Sequence, residues 1–286
     1  YEANMSMHNA DLIFAVGARF DDRVTNAVEK FCPNATIMHI DIDPTSISKI
    51  INADIPIVGS VEVVLRQMQE MIAEMDALKE QEDLTPWWQL INTWREKECL
   101  VYEKSATVIK PQQVIEALYK VTKGNAIVTS DVGQHQMWAA QHFGMRSPRQ
   151  FITSGGLGTM GYGLPAAIGA QLGNPNALVI DIAGEASIQM NIQELGTATQ
   201  YRLPVKVFII NNEYMGMVRQ WQELNHGGRY SESYSDSLPD FVKLAEAYGW
   251  KGITIEGPDD LDAGIQAMID HPGPVMVDCR VAKLAN

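Results

Sequence analysis

The chain has 286 residues, and at about 100–200 residues per domain this length suits two domains or one large one. Hydrophobic residues make up 46% and charged residues 20%, so a sizeable core can form and wholesale disorder is excluded. Acidic residues outnumber basic ones 35 to 22, and the formal charge of -13 argues against nucleic acid or an anionic membrane surface as main partner. No apolar run approaches the ~18 residues needed to span a bilayer. Cys32, Cys99 and Cys279 are widely spaced and lack metal-site spacing, so they read as reduced thiols. The chain opens Tyr1-Glu2-Ala3-Asn4, which is neither a signal nor a transit peptide. This reading takes residue 1 as not the start of the gene product.

The first ~80 residues alternate strand and helix patterns. Asp11 to Gly17 is an apolar run ending in Gly, as for a strand buried on both faces. Val24 to Phe31 has helical character and is stopped by Pro33. Thr36 to Asp41 reads as a second strand. Pro44 to Ile51 reads as a short helix with Asp43 as N-cap. Ile55 to Val58 is a third strand, and Gly59-Ser60 leads into an amphipathic helix ending near Lys79. From Glu80 to Thr107 the pattern lapses. It holds the charged run Glu80-Gln81-Glu82-Asp83 and a Trp-bearing helix, Trp87 to Leu100, expected to pack its tryptophans between domains.

A second alternation begins near Lys110. Helices are expected at Pro111–Val121, His135–Phe143, Leu164–Leu172, Met190–Tyr201, Pro239–Gly249 and Pro258–Met268. Strands are expected at Asn125–Val132, Phe151–Thr153, Ala177–Ala183, Val205–Ile210, Gly252–Glu256 and Pro274–Val281. The expected fold class is α/β, with two doubly wound parallel-sheet domains at 1–80 and 108–286 joined by a linker at 81–107. In such sheets ligands bind beyond the carboxyl ends of the strands.

Three strand ends carry unusual residues: Gly133-Gln134-His135-Gln136, Gly184-Glu185-Ala186-Ser187 and Asn211-Asn212-Glu213-Tyr214. Glu185 and Asn212 are one strand–helix–strand step apart, which places them on neighbouring strand ends. A carboxylate with an amide oxygen is hard, oxygen-only ligation suited to Mg²⁺ or Ca²⁺. Gly184 and Ala186 permit close backbone approach, and the following helix start offers N–H groups to a phosphate. The local reading is a metal-bridged diphosphate site. The same spacing also suits a capping turn with a surface glutamate and two turn-forming asparagines.

Gly184-Glu185-Ala186 followed by Asn211-Asn212 resembles the thiamin-diphosphate motif. The segments 154–161 (Ser-Gly-Gly-Leu-Gly-Thr-Met-Gly), 133–138 (Gly-Gln-His-Gln-Met-Trp), 215–221 (Met-Gly-Met-Val-Arg-Gln-Trp) and 17–23 (Gly-Ala-Arg-Phe-Asp-Asp-Arg) resemble the acetohydroxyacid synthase (acetolactate synthase) catalytic subunits, in order along the chain. The resemblance implies a complete thiamin-diphosphate domain after the later part of a flavin-binding central domain. It implies decarboxylation of pyruvate and transfer of the two-carbon unit to pyruvate or 2-ketobutyrate, in branched-chain amino-acid biosynthesis.

Roles follow position by position from the resemblance. Glu185, Asn212 and the Tyr214 carbonyl match metal ligands. Val132, Gly133, Gln134, His135, Gly158, Gly184, Ala186 and Ser187 match cofactor contacts. Met160 matches the apolar residue beneath the bent cofactor, and Met190, Met215, Gly216 and Met217 match its pocket. Trp221 matches the aromatic that favours the larger acceptor. Gly17, Arg19, Asp21, Arg23, Asp41 and Gln136 match FAD-holding positions. The bland alternatives are core packing for Met160, interface filling for Trp221, and a surface ion-pair cluster for the FAD set.

The resemblance further implies thiamin diphosphate, Mg²⁺ and FAD as cofactors, a homodimer or homotetramer formed through the cofactor site, and a small regulatory subunit. It implies a cytoplasmic location in a bacterium or an organellar one in a eukaryote. The family's activating Glu, from a separate N-terminal domain, has no match here, so the fragment alone is expected to be inactive and no catalytic residue is assigned. Alternative readings are another thiamin-diphosphate carboligase or decarboxylase, and a non-catalytic relative. One departure stands out: the metal position is usually Asp and here is Glu185.

Overall fold

The computed structural model describes residues 1–75 and 83–283. They fall into two compact units, Tyr1–Val101 and Tyr102–Asn286. Most of the charged run 80–83 and the end of the expected helix to Lys79 lie outside the described residues. Among the described residues no helix is long and apolar enough to cross a membrane, and all three cysteines are free thiols.

The first unit holds helix α1 (Glu2–Asn9) and a parallel sheet, β1 (Leu12–Val16), β2 (Thr36–Asp41) and β3 (Ile55–Val58), in the order β1-β2-β3. The helix expected over Val24–Phe31 is broken. A single turn, α2 (Asp22–Thr25), ends at Asn26, whose φ of 54° lies in the left-handed region, and a 3-10 turn, Val28–Lys30, follows. The helix expected at Pro44–Ile51 is absent. Asp43 does not cap it; its carboxylate instead accepts from the N–H and hydroxyl of Thr45, a local turn that competes with helix formation. Helix α3 (Val61–Glu74) follows β3, and α4 (Thr85–Arg95) carries the tryptophans. Trp87 and Trp94 meet edge to face at 5.9 Å within this unit, with Trp94 buried and Trp88 half exposed.

The second unit is one six-stranded, wholly parallel sheet. Its strands are β4 (Ala126–Ser130), β5 (Phe151–Thr153), β6 (Leu178–Gly184), β7 (Lys206–Asn211), β8 (Lys251–Ile255) and β9 (Val275–Arg280), in the order β5-β4-β6-β7-β9-β8. The central strands are almost fully buried because both faces are covered. Their side chains alternate between two apolar layers. Ile180, Ile182, Phe208, Ile210, Val275 and Val277 face α5 (Pro111–Thr122), α6 (Gln134–His142) and α11 (Leu261–Asp270). Val179, Ala183, Val207, Ile209 and Met276 face α7 (Gly163–Gly173), α8 (Glu194–Gln200) and α10 (Phe241–Ala247). Helix α9 (Gly216–Asn225) follows β7. The helix expected at Met190–Tyr201 is split into a 3-10 turn, Ile188–Asn191, and α8.

The chain lays β5 on one side of β4 and then returns to place β6 on the other. That reversal makes the crevice between the carboxyl ends of β4 and β6 the switch point, where open α/β sheets bind ligands.

Candidate active site

The segments after β4, β6 and β7 all emerge at this edge, as the three strands are neighbours. Gly184 pairs with Ile210, so Glu185 and Asn212 project from adjacent strand ends. Glu185 is not a surface glutamate: it is 1% exposed, and its Oε1 has no hydrogen-bond partner among the described residues. Burial pushes its carboxyl up to about 7, against the pull of the main-chain N–H groups of Glu185, Asn212 and Tyr214. A buried, unpartnered carboxylate oxygen is costly unless a cation or proton meets it. The Asn212 Oδ1 beside it accepts from Tyr214 N at 3.2 Å, and Glu213 between Asn212 and Tyr214 adopts a φ of 61°.

This donor set fits a hard divalent cation: one carboxylate, one amide oxygen and the Tyr214 carbonyl, with phosphate and water to complete the shell. The described residues contain no group of three or more His, Cys, Asp or Glu side chains placed for a metal, so a cation here depends on such mixed ligation.

The loop after β4 wraps into the same crevice. His135 is wedged between two glycine backbones; a Cβ at Gly133 would lie 2.6 Å from its ring and one at Gly184 2.8 Å. Burial lowers its pKa to about 4, while the Asp131 main chain bonds one nitrogen and Nε2 stays unpartnered. Gln134 crosses Gly216, where a Cβ would meet its Oε1 at 2.1 Å and Asn212 Nδ2 at 3.2 Å. Val132 faces Gly158, whose φ is 69°. At Gly161 a Cβ would lie 2.9 Å from Met190 Cβ, and Asn191 donates to the Gly161 carbonyl at 2.7 Å. Residues from five sequence segments are thus gathered at one place.

Other expected contacts are placed differently. The Ser187 hydroxyl closes its own turn on the Gly184 N–H and carbonyl, both at 3.1 Å. The helix start expected to follow Glu185 is a 3-10 turn. Ala186, Met160, Met215 and Met217 are half buried, Met190 is 52% exposed and Trp221 on α9 is 47% exposed. The Tyr214 ring stacks on the Arg219 guanidinium at 4.4 Å, and both line a cavity of about 330 Å³ with Tyr230 and Tyr234.

In the first unit, Gly17, Arg19, Asp21 and Arg23 follow β1, and Asp41 is the last residue of the neighbouring strand β2. Gly17 has a φ of 60° and its N–H bonds Ile40. Arg19 pairs with Asp21 at 3.0 Å, and Asp41 accepts from Asp43 N at 2.8 Å. Gln136 belongs to the second unit, where it donates to Thr153.

Residues 131–279 match the thiamine pyrophosphate enzyme C-terminal TPP binding domain, and residues 1–68 match the central domain of the same enzymes. The chain is 57% identical to the acetolactate synthase isozyme 3 large subunit of Escherichia coli, over 95% of this chain and 47% of that protein. It is 56% identical to the acetolactate synthase large subunit of Haemophilus influenzae, over 93% and 46%. It is 46% identical to that of the alga Pyropia yezoensis, over 99% and 48%. The chain spans about half the length of the curated relatives it matches. With the cation-suited strand ends at the switch point and these matches together, the chain belongs to the thiamine pyrophosphate enzyme family, with acetolactate synthase large subunits among its relatives.

Proposed function

We propose that this chain carries the cofactor-binding half of an acetolactate synthase catalytic subunit. The reaction joins the two-carbon unit left by pyruvate decarboxylation to pyruvate or 2-ketobutyrate. The observation that carries this reading is the buried Glu185 carboxyl, its Oε1 without a partner among the described residues, beside Asn212 at adjacent strand ends. Thiamin diphosphate, when bound, supplies the nucleophilic carbon and the electron sink for decarboxylation. The chain's own residues bind and orient it. Glu185, Asn212 Oδ1 and the Tyr214 carbonyl hold Mg²⁺. Gly133 and Gly184 leave room for the His135 ring, and Gly216 for the Gln134 amide, while the backbone at Gly158 lies open toward the diphosphate. His135, kept neutral, offers an unprotonated Nε2 as acceptor.

Met160, Met190, Met215 and Met217 supply apolar surface that limits water, and Trp221 favours the larger acceptor. The activating glutamate comes from another domain, through a homodimer or homotetramer that meets at this site. A small regulatory subunit completes the assembly. The cluster after β1 and β2 holds FAD, with Arg19 and Arg23 toward its diphosphate and Asp41 toward a hydroxyl or adenine. It serves as a structural group, since the net reaction transfers no electrons. Calorimetry with thiamin diphosphate tests the reading: binding should require Mg²⁺ and vanish in Glu185→Ala. Product analysis of the full-length subunit with pyruvate alone and with added 2-ketobutyrate tests the reaction; mixed acceptor products are expected, and acetaldehyde alone would overturn it.

A further inference from the structure

Two carboxyl groups that this cofactor reading leaves unused lie behind the site. Asp131 is the residue after β4, and Asp181 is in the middle of β6. Both are fully buried. Val179 and Ala183, which share the Asp181 face of β6, belong to the apolar layer under α7 and α8, so Asp181 is a carboxyl within a hydrocarbon core. Its donor is Thr129, its register partner on β4, at 3.1 Å.

Asp131 has richer surroundings. Its Oδ1 accepts the Gly163 N–H at 2.6 Å, at the start of α7. The Gly161 N–H and the Ser187 hydroxyl also face its carboxyl. A helix N-terminus favours negative charge, so the ionised form belongs on Asp131. Both aspartates border Gly163, whose N–H bonds Asp131 Oδ1. A Cβ there would lie 2.2 Å from Asp181 Oδ1 and 2.8 Å from Asp131 N. The Oδ2 atoms of both are buried without a partner among the described residues.

Two unpaired oxygens on adjacent buried carboxyls call for a proton, because two like charges in a dry layer repel strongly. We propose that the Asp131–Asp181 pair holds a single proton, carried on Asp181, and that ionised Asp131 is a positioning residue tying together the segments 132–135, 158–163 and 184–187. The second half of this inference rests on the cofactor reading above, since those segments hold the cofactor contacts. The surroundings agree. Burial raises both carboxyls, and the Asp131 charge raises Asp181 further, well above the carboxylate range. Thr129 faces the pair from β4, Ser187 from the turn after β6, and the Gly161 and Gly163 amides from the start of α7. On β7 the register partner is the apolar Val207. His135 bonds the Asp131 main chain rather than its carboxyl. No lysine or arginine contributes to either shift.

The test uses Asp181→Asn and Asp131→Asn. Infrared spectra of the wild type at neutral pH should show a protonated-carboxyl C=O band that disappears in Asp181→Asn. Melting curves of that variant should coincide with wild type in acid and rise above it in alkali. Its affinity for thiamin diphosphate at neutral pH should stay within about twofold of wild type, whereas Asp131→Asn should lose about tenfold or more with its circular dichroism unchanged. Absence of a band assignable to Asp181 overturns the single proton. Wild-type affinity in Asp131→Asn overturns the positioning role. If the wild type does not bind thiamin diphosphate, the cofactor reading and the positioning role fall together, and the infrared band still decides the proton. Should Asp131→Asn not fold, the band and the Asp181→Asn melting curves decide the pair, and Asp131→Glu, which keeps the charge but moves it by one methylene, tests positioning by the same affinity measurement.

Discussion

Replacing Glu185 by Gln tests how the strand-end site is prepared for a cation. The carboxyl is 1% exposed and stands at about 7 instead of its ordinary 4.5, chiefly through burial, with Asp278 adding a smaller push. A carboxyl raised on folding favours the fold fully below its unfolded value, and that advantage is lost as pH climbs to the folded value. From pH 4.5 to about 7, at about 1.4 kcal/mol per pH unit, the cation-free protein loses about 3 kcal/mol through this one group. Glutamine keeps an acceptor oxygen for the surrounding N–H groups but cannot ionise. Relative to wild type in a chelator, Glu185→Gln should therefore gain about 3 kcal/mol above neutrality and nothing near pH 4. For a unit of this size that is about 6–12 °C in melting temperature. Circular-dichroism melting across pH measures it. Adding Mg²⁺ with thiamin diphosphate should reverse the order, raising the wild type and leaving the variant unchanged. Wild-type and variant curves that stay parallel at every pH would refute the placement of Glu185 as a buried, raised carboxyl.

Glu185→Asp removes one methylene, which a near-octahedral Mg²⁺ shell at about 2.0–2.1 Å accommodates more easily. It should tighten Mg²⁺ binding by about fivefold, or ~1 kcal/mol, in calorimetric titration; equal affinities would sink the idea. Gly216→Ala places a Cβ 2.1 Å from Gln134 Oε1 and 3.2 Å from Asn212 Nδ2. Thiamin-diphosphate affinity should fall about tenfold or more with little change in melting temperature. Phe208 is fully buried in the centre of β7, so Phe208→Ala should cost about 3–5 kcal/mol in denaturant titration.

The candidate site was legible in the sequence because strand ends are local features. An apolar run followed by Gly-Glu-Ala or Asn-Asn reads as a buried strand and its exit without any knowledge of its neighbours. Glu185 and Asn212 were expected on adjacent strands, and the β4-β6-β7 order puts them there. The burial of Glu185 was not legible, because it depends on the chain that later covers it. Two helices failed for local reasons that periodicity overlooks. Asn26 adopts a left-handed φ and ends α2, and the Asp43 carboxylate binds Thr45 rather than capping a helix.

Asp131 and Asp181 were missed for a different reason. In Leu178-Val179-Ile180-Asp181-Ile182 the aspartate reads only as a polar interruption of an apolar strand. Its meaning depends on three distant facts: Thr129 is its register partner, Asp131 directly follows the neighbouring strand, and Gly163 has no side chain to occupy the space beside the Asp181 carboxyl. None of these is a property of the segment itself. A lone buried carboxyl in a hydrocarbon layer is costly, so a polar residue that breaks an otherwise clean strand is the signal that could have found it. Pairing it with every acidic residue at a neighbouring strand end turns that signal into a short list of candidates, and here Asp131, directly ahead of the Gly133-Gln134-His135 segment, is the first to fit.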